Sequence, residues 1–158
     1  MRFLGIDYGQ RRIGLAVSDA TGLLARPWKT IAREGNPAQV AAKLVAEIAA
    51  LHAAEDRIEG IVLGFPRRLN GDEHEQSRIV RQLAESLARL STVPLHLQDE
   101  RLSSREADDR LARREKDWRK RKAALDAEAA AVILQDFLDS RVRERPAVPD
   151  DVDSEEQV

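Results

Sequence analysis

The opening stretch from Met1 to Asp19, MRFLGIDYGQRRIGLAVSD, constrains the fold more than any other part of the chain. Phe3, Leu4 and Ile6 form one apolar run, and Ile13, Leu15, Ala16 and Val17 form a second after a polar break containing Gly9, so the segment predicts a β-hairpin. Asp7 falls where the first strand runs out. A carboxylate there can simply start a turn, but one at the end of a buried strand needs a hydrogen-bond partner, an ion pair or a cation. Gly5 and Gly9 flank it, which suits a backbone that a ligand or another strand approaches closely.

The rest of the chain extends the hairpin into an α/β domain. Leu23 to Ile31 predicts a third strand, which Pro27 places at an edge or a bulge. Asn36 and Pro37 supply an N-cap and a first-turn proline for a helix with Val40, Leu44, Ile48 and Leu51 on one face. Ile58 to Leu63 then predicts a buried parallel strand running into Gly64-Phe65-Pro66. A second helix from Asp72 to about Leu90 carries Ile79, Leu83, Leu87 and Leu90, and Pro94 to Gln98 forms the next strand. Ser103 caps a short helix through Leu111, and a last helix from about Ala124 to Arg141 turns Ala130, Ile133, Leu134 and Phe137 inward. The expected fold is a mixed sheet, antiparallel over its first three strands and parallel after them, flanked by helices.

Two further acids fit that topology. Glu100 follows the strand at Pro94 to Gln98, which puts it at the same sheet edge as Asp7 if those strands are parallel. Asp126 precedes Ala130, Ile133 and Phe137 by four, seven and eleven positions and so shares their inward face. Each has an ordinary explanation, Glu100 as a loop residue paired with Arg101 and Asp126 as a first-turn acid favoured by the helix dipole. Three independent acids meeting at one edge is a different matter. An all-oxygen donor set suits Mg²⁺ or Mn²⁺ rather than zinc.

The segments GIDYGQRRIGLAVSD, VLGFPRRLNG, QDERLSSREA and KAALDAEAAAVILQDFLD, in that order, together resemble the YqgF/RuvX family of pre-16S rRNA nucleases. The resemblance implies a ribonuclease H-like, Holliday-junction-resolvase-like fold over residues 1–141. It places the catalytic, metal-binding acids on Asp7, Glu100 and Asp126, with Lys122 as a further catalytic residue. It also places arginines on Arg12 and Arg101, and a structural loop on Gly9, Gly64, Pro66, Asn70 and Gly71. In such a site Asp7 bridges two divalent ions about 4 Å apart, with Glu100 and Asp126 on either side. The implied activity is metal-dependent hydrolysis of phosphodiester bonds in 5′-end maturation of pre-16S rRNA. The alternatives are a Holliday junction resolvase or other structure-specific DNA nuclease, or a nucleic-acid-binding module without activity. Sugar kinases and ATPases of the same superfold clamp nucleotide between two such domains, and this chain has one.

Substrate binding is expected in the run RLARREKDWRKRK, Arg110 to Lys122, where eight basic residues stand against two acids. The run reads either as a solvated helix face or, with Arg114, Trp118, Arg119, Lys120 and Arg121, as a grip on nucleic acid in which the indole stacks on a base. Its conformation, helix or loop, is open. A net charge of −2 over 158 residues shows no polyanion partner by itself, so only this local clustering does. Residues 142–158 form an acidic tail expected to be disordered. With no cysteine there is neither a disulfide framework nor a thiolate metal site. The opening residues lack the continuous apolar core of a signal peptide and no run is long enough to span a bilayer, so a cytoplasmic protein without membrane contact is expected. Expected partners are structured or single-stranded RNA, branched DNA and ribosomal precursor particles, bound by a monomer or a homodimer. His52, His74 and His96 show no ligand spacing; His96, on a strand, is expected to be packed and hydrogen-bonded.

Overall fold

The computed structural model describes residues 1–66, 75–100 and 103–144. In chain order these form β1 (Arg2–Tyr8), β2 (Arg12–Ser18), β3 (Ala25–Ala32), α1 (Pro37–Ala53), β4 (Ile58–Phe65), α2 (Glu75–Leu90), β5 (Leu95–Asp99), α3 (Ser103–Arg114) and α4 (Trp118–Glu144). The five strands lie in the order β3-β2-β1-β4-β5. β1 pairs antiparallel with β2 and β2 with β3, whereas β1 with β4 and β4 with β5 are parallel. This is the ribonuclease H-like arrangement that the sequence predicts. β3 is the edge strand beyond the hairpin, and the register slips between Leu15 and Ala16, where Pro27 meets Ala16.

Strand alternation gives the sheet two unlike faces. Leu4, Ile6, Tyr8, Ile13, Leu15, Ile61 and Leu63 project to one side and pack with Val40, Leu44 and Ile48 of α1 and Val80, Leu83 and Leu87 of α2. Asn36 caps α1 through a reciprocal pair of hydrogen bonds with Gln39, and Pro37 sits in its first turn. On the other face Phe3, Ala16 and Val62 meet Ala130, Ala131, Ile133, Leu134 and Leu138 of α4. That face is otherwise poor in side chains. A Cβ on Gly14 would stand 1.9 Å from the carbonyl oxygen of Asp126, and one on Gly5 would stand 2.8 Å from the Cβ of Leu134. The approach that Gly5 permits is therefore that of α4.

Several expectations shift at element ends. The last helix begins at Trp118, well before Ala124, and continues to Glu144, past the boundary expected at residue 141. α3 runs to Arg114, beyond Leu111. The basic run is therefore neither one helix nor one loop. It comprises the end of α3, a three-residue break and the start of α4. In α2 the inward stripe is Ser77, Val80, Leu83, Ser86 and Leu87, while Ile79 is only partly covered and Leu90 is exposed. His96 is also exposed and tilts against the Phe137 ring, 4.9 Å between centroids. Asp72, His74 and the tail from residue 145 lie outside the described residues. Among the described residues no helix is long and apolar enough to cross a membrane.

Candidate functional site

The parallel pairing of β1, β4 and β5 brings their C-terminal ends together, and two of the three acids come from those ends. Asp7 is the last residue but one of β1 and lies on the α4 face, directly opposite Gly14 in the hairpin register. Glu100 follows β5, and its backbone N–H donates to the carbonyl of Phe65 at the end of β4, at 3.3 Å. Asp126 arrives from α4, where the missing side chain of Gly14 lets the helix backbone settle against β2. Gly64 makes room on the other side, since a Cβ there would stand 2.8 Å from Oε2 of Glu100. The hairpin turn is closed by Gly9, whose N–H donates to the carbonyl of Arg12 at 3.1 Å. At the end of β4 the Ser77 hydroxyl of α2 donates to the carbonyl of Pro66.

The three carboxyls are close enough to disturb one another. Burial, the charge of Asp126 and a hydrogen bond with Glu100 act on Asp7, and the net effect raises its pKa to about 6. Burial, then the charge of Asp7 and the same hydrogen bond, raise Glu100 to about 7. Two carboxyls can share a hydrogen bond only through a proton, so the pair favours holding one between them. Arg12 Nε lies 2.9 Å from Asp126 Oδ2, yet this buried oxygen has no hydrogen bond of acceptable geometry.

Among the described residues no three His, Cys, Asp or Glu side chains stand in a ready coordination cluster. The donor chemistry nevertheless fits a hard divalent cation. The donors are carboxylate oxygens, one of them buried without a hydrogen bond, and two of the acids have raised pKa values, which marks a place where a cation could replace a proton. Arg12, beside Asp126, meets part of the same electrostatic demand.

The remaining expected site residues are distributed unevenly. Lys122 lies on α4 one turn before Asp126. Trp118, in the first turn of α4, is 60% exposed, with the Arg119 guanidinium 5.4 Å from its ring centroid. Lys120 is exposed and Arg121 partly so. Arg114 is engaged with Glu128. Arg101, Asn70 and Gly71 lie outside the described residues.

Glu128 is the residue that reading the sequence misses. Its side chain is fully buried and ion-paired to Arg110 and Arg114 of α3. A signal was present in DAEAAAVIL: apart from Glu128 the run from Ala127 to Leu134 is apolar, and a helix apolar all round is covered on every side. Gly14 was legible only as a strand residue.

A family model described as RuvX: Holliday junction resolvase matches residues 1–140. A protein of Anaeromyxobacter sp. (strain Fw109-5) named "Putative pre-16S rRNA nuclease" is 42% identical over 144 residues, 89% of this chain and 98% of that protein. A protein of Maridesulfovibrio salexigens with the same name is 40% identical over 138 residues, 87% of this chain and 98% of that one. Among solved structures, T. thermophilus RuvC in complex with a Holliday junction substrate overlaps with TM-score 0.49 and 18% identity, over 90% of this chain and 96% of that chain.

Proposed function

The chain belongs to the RuvX family, and from that premise we propose that it is a divalent-metal-dependent nuclease acting in the cytoplasm on the 5′ end of pre-16S rRNA. The observation that carries this reading is the meeting of Asp7, Glu100 and Asp126, from the end of β1, the exit of β5 and the middle of α4, in a cluster where, among the described residues, acids outnumber nearby cations. These three acids would hold Mg²⁺ or Mn²⁺, which when bound activates water and stabilises the leaving oxygen of a phosphodiester. The chain's own groups supply the rest. Asp7, between the other two acids in its interactions, would be the ligand they share. Arg12, half exposed and beside Asp126, offers a guanidinium to a phosphate entering the site. Lys122, one turn before Asp126, adds positive charge against the repulsion between three acids and a polyanion. The basic residues on either side of the break between α3 and α4 follow the backbone of the nucleic acid, and exposed Trp118 stacks on an unpaired base.

Single-stranded or loosely structured RNA is the proposed substrate, since one site with an aromatic grip suffices for trimming, whereas resolving a junction needs two sites related by symmetry. Purified protein incubated with precursor-like RNA, single-stranded RNA and a four-way DNA junction, each with Mg²⁺ and with Mn²⁺, tests the reading. Faster cleavage of RNA is expected. Paired symmetrical nicks in the junction at a higher rate would assign the chain to junction resolution, and no cleavage of any of them would end the nuclease reading.

A further inference from the structure

On the side of α4 facing α3, the fully buried carboxylate of Glu128 is held by two guanidiniums. Arg110 Nε stands 3.2 Å from Oε1, and an Nη of Arg114 donates to Oε2. Burying such a carboxylate is costly, and an apolar residue of similar volume often replaces a buried charge with no loss of stability. The surrounding seam of Ala107, Leu125, Ala129 and Val132 is apolar and would accept such a residue. What a hydrophobe could not do is hold two arginines side by side against their mutual repulsion. The positive charge left over is directed outward: among the described residues Arg110, Arg113 and Arg114 line an open surface cavity of about 250 Å³. Three guanidiniums against one carboxylate leave two positive charges in excess. Glu128 accepts a hydrogen bond from one Nη of Arg114 and stands in ion-pair contact with the Nε of Arg110, so among the described residues other N–H donors of both groups remain for a ligand.

We propose that Glu128 is a positioning residue that builds, from Arg110, Arg113 and Arg114, a binding site for backbone phosphates of the nucleic acid, apart from the three acids that cut it. The site deepens the nuclease reading and rests on it for the identity of its ligand. Guanidiniums fixed in advance lose little freedom on binding, and their planar forks match phosphate oxygens. The arrangement separates two effects of replacing Glu128. As bulk electrostatics, removing a negative charge beside a polyanion site should tighten binding. As loss of the scaffold, it should weaken binding.

Fluorescence anisotropy of a labelled single-stranded RNA oligomer with the full chain in EDTA, where metal plays no part, distinguishes the two. Glu128→Gln is expected to weaken binding about tenfold, the size of one charge-assisted contact. Arg113→Gln, at an exposed position that does not contact Glu128, is expected to weaken it and to lower the log–log salt slope by about 0.7. Circular dichroism and melting temperature establish that each variant is folded. If Glu128→Gln does not fold, the result for Arg113→Gln decides, and an unchanged affinity and slope there overturns the site. Equal or tighter binding by folded Glu128→Gln also overturns it, while RNA cleavage by the wild-type protein would leave the nuclease reading intact. Wild-type protein that neither binds nor cleaves RNA would overturn both.

Discussion

Two acids of one helix, Asp126 and Glu128, stand two residues apart and serve opposite arrangements. Glu128 is fully buried and one of its oxygens, like Asp126 Oδ2, lacks a hydrogen bond, yet two guanidiniums converge on its single charge. Asp126 is less buried, pairs among the described residues with Arg12, and adds its field to Asp7, whose pKa, like that of Glu100, is raised. Burial alone does not distinguish a structural carboxylate from a reactive one. The local ratio of acids to cations does, because an excess of acids leaves demand for a proton or a metal ion.

The sharpest break in this contrast is Asp7→Asn. Losing the shared carboxylate should lower cleavage by several orders of magnitude with the fold intact, and near wild-type cleavage in Mn²⁺ would show that the acids are not a metal site. Gly14→Ala tests whether α4 needs its seat on β2. The new Cβ meets the Asp126 carbonyl at 1.9 Å, and backbone cannot rotate aside, so a loss of about 1–3 kcal/mol in denaturant unfolding is expected. Cleavage should fall further than RNA binding, since Asp126 moves while the arginine cavity lies on the far side of the helix. Equal losses of both would mean that the two sides of α4 are not separable. Trp118→Ala, at an exposed position, should leave stability unchanged and cost RNA binding about 1–3 kcal/mol by titration with single-stranded oligomer. An unaffected Kd would remove the indole from the interface.

The smallest effect concerns pH. Asp7 and Glu100 are raised to about 6 and about 7 from ordinary values of 3.8 and 4.5. Their native state holds protons more tightly than the unfolded chain, so the stability they contribute is full below those ordinary values and is lost as pH rises through 6 to 7. In EDTA the melting temperature of wild type should therefore fall relative to that of Asp7→Asn between pH 5 and pH 8. Saturating Mg²⁺ or Mn²⁺ at pH 8 should reverse much of that loss in wild type and less in the variant. A difference between the two proteins that does not change with pH would mean that the acids do not share a field.

Much of this was legible in the sequence because local pattern and topology carry it. The hairpin follows from alternating apolar residues around a polar turn, the first helix from Asn36 and Pro37, and the meeting of Asp7, Glu100 and Asp126 from where a mixed sheet puts strand ends and the inward face of the last helix. Leu90 and the ends of α3 and α4 were less legible, since periodicity does not say where a neighbouring element stops covering a face. The basic run read as one feature because charge clustering is a property of sequence, whereas its division into two helix ends is a property of the chain path. Gly14, Gly64 and Glu128 were decided by tertiary structure alone. A glycine's importance here is the backbone or carboxylate that would come within 3 Å of a Cβ at that position, and the role of a buried glutamate depends on which guanidiniums another helix brings to it; both are distances between segments far apart in the chain, which no local pattern encodes.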